Sequence, residues 1–150
     1  MTRLLALDPG GTSGWSTWLY SPLTPLEPID HGQIEGGLEG FLQWWDVETM
    51  VRRPWDEVVA ETFVLDGRTV KPDTTPLLIE GALHVLFPGW VGQRNVMKAQ
   101  ADDLLLKRAD YWWPGQQHAR DSARHAIALM KTRRHLPTIK MLWPPREDVG

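Results

Sequence analysis

Three carboxylates stand where the pattern of the chain can bring them to one place. Asp8 ends a short apolar run, Glu61 ends a second one, and Asp121 lies in the strongest helical pattern of the sequence. In open α/β sheets, active groups gather beyond the carboxyl ends of the strands, where a neighbouring helix can add a further side chain. Carboxylate oxygens are the hard ligands that Mg²⁺ prefers, so these residues together predict a divalent-metal site.

Hydrolysis of a phosphodiester is the reaction that such a site would serve. Two divalent ions about 3.5–4 Å apart can activate a water and stabilise the leaving alkoxide. No side-chain nucleophile is needed, which agrees with a sequence that has no cysteine and no G-x-S-x-G motif. Taken singly, each acid has an ordinary alternative as a turn residue or a solvated charge. The prediction therefore depends on the three acids as a set.

The helix that carries Asp121, predicted over residues 117–135, separates three kinds of contact. His118, Asp121 and His125 are spaced i, i+3 and i+7 and therefore share one face. An alanine-rich face suits packing on a sheet. The remaining face is basic and consists of Arg120, Arg124 and Lys131. One helix can thus combine core packing, an edge of acid and imidazole groups, and an edge for phosphate contacts.

The elements that position these residues alternate in the order expected for an α/β protein. Strands are predicted at residues 3–8, 14–20, 29–35, 56–61 and 90–96, and helices at 38–51, 76–87, 98–110 and 117–135. Residues 21–28 hold three prolines and predict a loop, and residues 136–150 predict an irregular tail. We expect one domain over residues 1–150, a mixed five-stranded sheet flanked by helices whose first three strands are antiparallel.

Composition and charge limit the classes of protein that this sequence can represent. It has 150 residues, 42% of them hydrophobic, and no cysteine, which fits one globular domain and excludes disulfides and thiolate zinc sites. The apolar run after Arg3 is too short for a signal peptide or a membrane span, so we expect a cytoplasmic protein without a membrane partner.

The charge is distributed unevenly along the chain. Residues 1–93 carry a net charge of −8 (5 Lys and Arg against 13 Asp and Glu), and residues 94–140 one of +6 (10 against 4). This asymmetry favours a polyanion-binding face in the second half, although solvated helices are often as charged.

Three motifs resemble those of RuvC-type Holliday-junction resolvases, a family of RNase H-like fold, and particularly the divergent forms found in bacteriophages. The similar segments are residues 5–10 (LALDPG), 58–61 (VVAE) and 118–123 (HARDSA). The resemblance covers about residues 3–135. It implies an RNase H-like α/β fold, a homodimer, and Mg²⁺- or Mn²⁺-dependent nicking of paired strands at a four-way DNA junction, with two ions in each site. A phage-encoded protein would act in the cytoplasm of the host cell.

The same resemblance assigns the catalytic and metal-binding residues. Asp8, Glu61 and Asp121 match the family's acidic ligands, and His118 takes a position that holds an acid or a histidine in the family. Its imidazole can ligate an ion when neutral or donate a proton to the leaving oxygen when protonated, and the sequence leaves both open. His125 is a possible further site residue.

Contacts to DNA are expected around this site. Phe63 is the candidate for the family's base-contacting aromatic, although it lies one residue closer to the glutamate than in typical bacterial members. The family's lysine after the fifth strand has two candidates here, Arg94 and Lys98. Basic side chains near the acids suit phosphate contacts, with a solvated charge as the alternative for each. The expected DNA-binding set is Phe63, Arg68, Lys71, Arg94, Lys98, Arg120 and Arg124.

Other functions stay open from the sequence alone. The same metal site would serve a nuclease for flaps, other branched DNA or RNA–DNA hybrids. Residues 8–13 (DPGGTS) are also similar to the phosphate-binding turn of sugar kinases and actin-like ATPases, but those proteins need two such domains and an adenosine-binding segment, so we expect no nucleotide cofactor. A non-catalytic DNA-binding dimer is the third alternative, since nine tryptophans and a basic surface can bind nucleic acid without cutting it.

Overall fold

The computed structural model describes residues 1–51, 54–64, 67 and 73–145. The strands are β1 (Thr2–Asp8), β2 (Ser13–Ser21), β3 (Thr24–Ile34), β4 (Glu57–Thr62) and β5 (Val91–Arg94). The helices are α1 (Gly37–Val51), α2 (Thr75–Leu86), α3 (Asp103–Arg108), α4 (Gln117–Thr132) and α5 (Leu136–Leu142), and a 3₁₀ helix spans Asn95–Gln100. None of the described helices has the length and apolar character needed to cross a membrane.

These strands form one mixed sheet in the order β3-β2-β1-β4-β5. The pairs β1–β2 and β2–β3 are antiparallel, whereas β1–β4 and β4–β5 are parallel. The predicted α/β fold, with a mixed sheet that is antiparallel in its first half, is therefore confirmed. β1 can occupy the centre because Leu4, Leu5, Ala6 and Leu7 are all fully buried and supply apolar surface to both faces.

Helices cover both faces of the sheet and divide the core into two parts. Leu4 and Ala6 of β1 face the part that contains α3, α4 and α5. Leu5 and Leu7 face the part that contains α1 and α2. The alternation of side chains along β1 thus accounts for a strand that is apolar at every position.

Small residues let α4 lie close to the sheet. Ala123 and Ala126 are fully buried in the core beneath β1 and β2. The tightest approach is at Gly14, where a Cβ atom would come within 1.8 Å of the His118 carbonyl oxygen. Only glycine fits at this position, so Gly14 lets the first turn of α4 reach the carboxyl end of β1 and the start of β2.

The prediction of a loop over residues 21–28 is wrong, because β3 already begins at Thr24. β3 is an edge strand, where the missing N–H groups of Pro25 and Pro28 cost few ladder hydrogen bonds. The register of β2 against β3 also shifts between Thr17 and Trp18, next to Pro28. The prolines are therefore accommodated at an irregular edge instead of ending the strand.

The prediction of an irregular tail over residues 136–150 is wrong for its first part. Leu136–Leu142 form α5, with Pro137 in the first turn. The N–H groups of a first turn have no partner within the helix, so a proline there costs no helical hydrogen bond. Thr138 is buried, and its hydroxyl accepts a hydrogen bond from the Leu26 backbone N–H at 2.9 Å. This contact attaches α5 to β3. Residues 146–150 of the predicted tail lie outside the described residues.

The single helix predicted over residues 98–110 is two elements in the structure. The 3₁₀ helix ends at Gln100, and α3 starts at Asp103. The carboxylate of Asp102 caps α3 by accepting a hydrogen bond from the Leu105 backbone N–H at 2.9 Å. An aspartate at this position favours a new helix start over continuation of the preceding one.

Candidate active site

The carboxyl ends of β1 and β4 bring two of the predicted acids together. These strands are parallel neighbours with Leu7 opposite Ala60, so Asp8 and Glu61 follow at the same edge of the sheet. Asp121 approaches the same edge from α4, close enough for its charge to act on Asp8. All three carboxylates are largely buried. The set of acids predicted from the sequence is therefore gathered at one place.

Lys98 joins two of these acids. Its Nζ is 3.3 Å from Glu61 Oε1 and 3.5 Å from Asp121 Oδ2. Burial alone would lower the pKa of Lys98, but the charges of Glu61, Asp121 and Asp8 outweigh burial and raise it. The sequence marks Lys98 as a candidate DNA contact, and the structure places its ammonium between the carboxylates.

His118 contacts the third acid. Its Nδ1 is 3.2 Å from Asp8 Oδ2, and its ring is partly exposed. The His118 backbone N–H donates to Gln33 Oε1 at 3.0 Å, which satisfies one of the N–H groups that the first turn of a helix leaves free. Gln33 on β3 and Gly14 on β2 therefore set where the imidazole lies relative to Asp8.

His125, the possible further site residue, is completely buried behind Glu61. Its Nε2 is 3.3 Å from Glu61 Oε1, and its Nδ1 is 2.8 Å from the side-chain amide of Gln93. His118, Asp121 and His125 thus lie on one face of α4, which is turned toward Asp8 and Glu61, as their spacing predicts.

Arg124 attaches α4 to the start of α3 and to Ala101, two residues before it. Its Nε is 3.2 Å from Asp121 Oδ1, and its Nη2 is 2.6 Å from Asp103 Oδ1. A third contact runs from Nη1 to the carbonyl oxygen of Ala101 at 2.5 Å. Because these contacts engage the whole guanidinium, Arg124 serves first to orient Asp121.

Different surroundings give Asp8 and Glu61 pKa values that are shifted in opposite directions. Burial and the charge of Glu61 raise the pKa of Asp8 to about 7, although the hydrogen bond from the neighbouring imidazole and the charge of Lys98 oppose the rise. Burial would also raise the pKa of Glu61, but the His125 hydrogen bond and Lys98 bring it below its usual value. Within the described residues, three carboxylates share Lys98 and Arg124 as permanent cations, so the cluster carries surplus negative charge.

The donor chemistry of this cluster fits a hard divalent cation. The oxygens of Asp8, Glu61 and Asp121, with the imidazole of His118, are ligands that Mg²⁺ and Mn²⁺ accept. In their present orientations, no three His, Asp or Glu side chains of the described residues converge closely enough to hold an ion. The carboxylates instead point to Lys98 and their other partners. Burial and the neighbouring carboxylates raise the pKa of Asp8, and a bound cation would act in the opposite direction.

Two grooves flank Glu61 and Asp121. One has a volume of about 770 Å³ and is lined by Glu61, Phe63, Arg94 and Val96, among others. The other has a volume of about 570 Å³ and is lined by Lys98, Asp103, Asp121 and Arg124, among others. Of the predicted DNA contacts, Phe63 and Arg94 thus border the acids on one side and Lys98 and Arg124 on the other. Arg68 and Lys71 lie outside the described residues.

Arg120 faces away from the acids. Its guanidinium carbon lies 4.1 Å from the ring centre of Trp112. Its Nη1 donates to the carbonyl oxygens of Trp112 and Trp113 at 3.3 and 3.4 Å. In the structure this predicted DNA contact holds the loop that leads into α4.

Sequence reasoning missed two glutamines that contact the site histidines. Gln33 receives the His118 backbone N–H, and Gln93 meets the His125 ring. The signal for Gln93 was an amide in the middle of the short predicted strand 90–96, which also contains Asn95 near its end. Nothing in the local pattern singles out Gln33, because it lies on a partly exposed edge strand.

Comparison with known proteins finds solved structures with a similar fold but no protein with a similar sequence among the curated proteins. The sequence matches no protein-family model and no curated protein sequence. Thermus thermophilus RuvC in complex with a Holliday junction substrate aligns with a TM-score of 0.65 at 14% identity, covering 91% of this chain and 98% of that chain. The fowlpox virus Holliday junction resolvase aligns with a TM-score of 0.56 at 13% identity, covering 87% of this chain and 99% of that chain.

These likenesses define the class of fold, an RNase H-like α/β architecture with a five-stranded mixed sheet flanked by helices. Within that class, the chain has the fold of RuvC-type resolvases over nine-tenths of its length. The fold that the three motifs implied is therefore confirmed.

Proposed function

We propose that this protein is a metal-dependent endonuclease that resolves four-way DNA junctions by paired nicking. The observation that carries the proposal is the placement of Asp8, Glu61 and Asp121 at one sheet edge, with His118 on Asp8, in a RuvC-type fold. Two of the structural neighbours are complexes with Holliday junction DNA. This makes the four-way junction the first substrate to test.

The residues that would hold Mg²⁺ or Mn²⁺, with two ions in each site, are Asp8, Glu61, Asp121 and His118. The chemistry that two such ions supply when bound is activation of a water and stabilisation of the leaving oxygen. Lys98 has to release at least one of its two carboxylates before that carboxylate can turn to an ion. In the metal-free site Lys98 therefore balances charge, and after release its ammonium is available to a phosphate.

DNA is proposed to lie across the two grooves that flank the acids. The segment with a net charge of +6, residues 94–140, includes the 3₁₀ helix, α3 and α4, which border these grooves. Phe63 offers a ring on which a base can stack, and Arg94 offers a phosphate contact beside it. Since Arg120 and Arg124 are engaged within the protein, we assign the main described contacts to Phe63 and Arg94.

Paired nicking requires two sites, and we propose a homodimer formed through α1 and α2. On α1, Val47, Met50 and Val51 share one face and are 58%, 85% and 77% exposed. On α2, Leu78 and Val85 are 54% and 80% exposed. The two helices contact each other, and exposed apolar side chains on neighbouring helices are of the kind that marks protein interfaces.

A panel of labelled substrates tests the proposal. Four-way junction, flap, RNA–DNA hybrid and linear duplex are each incubated with the protein in Mg²⁺ or in EDTA, with Asp8→Asn in parallel. We expect metal-dependent cleavage of the junction in preference to the others, lost in Asp8→Asn. Preferred cleavage of flaps or hybrids would keep the nuclease but replace its substrate. Tight junction binding without cleavage of any substrate would leave a non-catalytic DNA-binding protein.

A further inference from the structure

His125 is a polar side chain in a place where packing alone would favour an apolar one. It has no exposed surface, and its neighbours on α4, Ala126 and Ile127, are fully buried core residues. Burying an imidazole costs free energy unless its nitrogens find hydrogen-bond partners. Both ring nitrogens do, since Nε2 contacts Glu61 and Nδ1 contacts Gln93.

The side-chain amide of Gln93 determines which ring nitrogen carries the proton. With its NH₂ group toward α4, Gln93 donates to His125 Nδ1 at 2.8 Å and to the His125 carbonyl oxygen at 3.2 Å. Its amide oxygen then accepts from the Leu129 backbone N–H at 3.2 Å. The opposite orientation would set acceptor against acceptor and donor against donor. Nδ1 is therefore an acceptor, which leaves the proton of the neutral ring on Nε2.

The Nε2–H group points at the carboxylate of Glu61. The distance from Nε2 to Glu61 Oε1 is 3.3 Å, and Lys98 Nζ reaches the same oxygen at 3.3 Å. A carboxylate held through one oxygen can offer the other to an ion. Gln93 is in turn fixed by the backbone of α4, so the orientation of Glu61 is tied to a rigid helix through two buried side chains.

We propose that His125 is a positioning residue that presents Glu61 to the divalent cation in one orientation, with Gln93 selecting the required tautomer. The inference rests on the proposed function, because it gives His125 a role at the proposed metal site. His125 touches neither ion nor substrate and acts only through Glu61. Side chains that orient a metal ligand in this way typically contribute 10–100-fold to metal affinity.

Binding of Mn²⁺ to the purified protein tests the proposal without relying on cleavage. Free Mn²⁺ is followed by electron paramagnetic resonance in titrations of wild type, His125→Leu, His125→Gln and Gln93→Met. His125→Leu removes the donor while filling similar space, whereas the glutamine amide of His125→Gln can still donate toward Glu61. We expect about 10–100-fold weaker binding in His125→Leu, a smaller loss in Gln93→Met, and recovery of most of the affinity in His125→Gln.

Two further measurements separate positioning from folding. Met130→Leu, a volume-conserving change at a buried apolar position of the same helix, is the matched control and should bind Mn²⁺ like wild type. Correlation of ring protons with ¹⁵N in the labelled wild-type protein reports the tautomer of His125 directly. A proton on Nδ1 with Nε2 bare would overturn the proposal even if a variant fails to fold.

The outcomes distinguish this inference from the proposed function. If wild type binds Mn²⁺ and His125→Leu binds it equally well, the role of His125 is refuted while the metal site stands. Equal weakening in His125→Leu and His125→Gln would also refute it, because the hydrogen bond would not be the cause. If wild type binds no Mn²⁺, the proposed function fails, and the role of His125 fails with it.

Discussion

Asp8 is the residue at which the surplus negative charge of the site is most evident. It is 6% exposed, and burial together with the charge of Glu61 raises its pKa to about 7. Near neutral pH, in the absence of a cation, molecules with a protonated Asp8 thus form a substantial part of the population. Ionisation of such a carboxylate lowers the free energy of unfolding of the metal-free protein. A bound cation would stabilise the ionised carboxylate and so remove this loss.

Replacing Asp8 by asparagine is expected to stabilise the metal-free protein at pH 8. The pKa of Asp8 is higher in the folded protein than in the unfolded chain, so the folded state binds more protons between about pH 4 and pH 7 and loses stability as the pH rises through that range. Asparagine does not ionise and avoids this loss. We expect the free energy of unfolding of Asp8→Asn in EDTA to exceed that of wild type by roughly 1–3 kcal/mol at pH 8.

The pH dependence of this difference is its check. Urea unfolding of both proteins at pH 8 and near pH 4.5 should show the advantage of Asp8→Asn shrink at the lower pH, where Asp8 is protonated in the folded protein. Asp46→Asn, on the exposed side of α1, is the matched control and should stay close to wild type at both pH values. A difference independent of pH, or a less stable Asp8→Asn at pH 8, would contradict the electrostatic account of the site.

Residue types at the site were predictable from the sequence, whereas their contacts were not. Asp8 and Glu61 stand out because each ends a recognisable strand pattern, and Asp121 stands out because it lies in a strong helix pattern. Lys98 contacts two of them from a 3₁₀ helix whose orientation depends on the break before α3. The pairing of Gln93 with His125 joins positions 32 residues apart in the chain. Such contacts follow from the positions that the 3₁₀ helix and β5 take beside α4 in the folded chain, which no local pattern encodes.

Among the elements, α4 does most to complete the site. Its first turn carries His118 to Asp8 and its second carries Asp121 to Lys98. Both placements depend on the close approach of the helix to the start of β2 at Gly14. The distance between helix and sheet is therefore a requirement of the site as well as of the core.

Gly14→Ala is expected to damage both stability and activity. The added Cβ would lie 1.8 Å from the His118 carbonyl oxygen, so the start of α4 has to move away from the sheet. Forced repacking of this kind costs about 1–3 kcal/mol. A displacement of about 1 Å at reacting groups can cost about 100-fold in rate. Urea unfolding and junction cleavage measure the two effects.

Gly11→Ala is the matched control for this prediction. It lies in the same turn region, and no atom lies within 4 Å of its added Cβ. It should therefore retain stability and cleavage close to those of wild type. If Gly14→Ala behaved like Gly11→Ala, the close approach would have no role in positioning His118.

The elements with strong apolar patterns were predicted well, and those held by tertiary contacts were not. β1, β4 and α4 have continuous or periodic apolar sequences, and their predicted bounds are within a few residues of the structure. The start of β3 was missed because an edge strand tolerates Pro25 and Pro28. α5 was missed because its seven residues depend on contacts such as that of Thr138 with Leu26.

At the scale of the whole molecule, the sheet has two faces with different roles. One face is covered by α3, α4 and α5, and it borders the acids. Of these helices, α3 and α4 lie within residues 94–140, the segment with a net charge of +6. The opposite face carries α1 and α2, which expose several large apolar side chains, Val47, Met50, Val51, Leu78 and Val85. In the proposed dimer, this division leaves the candidate active site accessible to DNA while the other face contacts a second copy of the chain.

Met50→Glu is expected to convert a dimer into monomers. Met50 is 85% exposed and lies on the same face of α1 as Val47 and Val51, so a carboxylate there would be buried without a partner in the proposed dimer. Light scattering coupled to size-exclusion chromatography at micromolar protein measures the mass. Leu23→Glu, 89% exposed in the turn between β2 and β3, is the matched control and should remain dimeric. A wild-type mass of one chain, or a dimeric Met50→Glu, would contradict the proposed interface.

Cleavage of a supercoiled plasmid that extrudes a cruciform tests the central claim most directly, because it asks for metal dependence, junction selectivity and paired nicking together. Two nicks made within one encounter convert the circle into linear DNA, whereas independent nicks give open circles first. We predict linear plasmid as the first product with Mg²⁺, none with EDTA or Asp8→Asn, and no linear product from a plasmid without the cruciform. Open circles alone, or an intact plasmid throughout, would contradict the account of this protein as a junction-resolving nuclease.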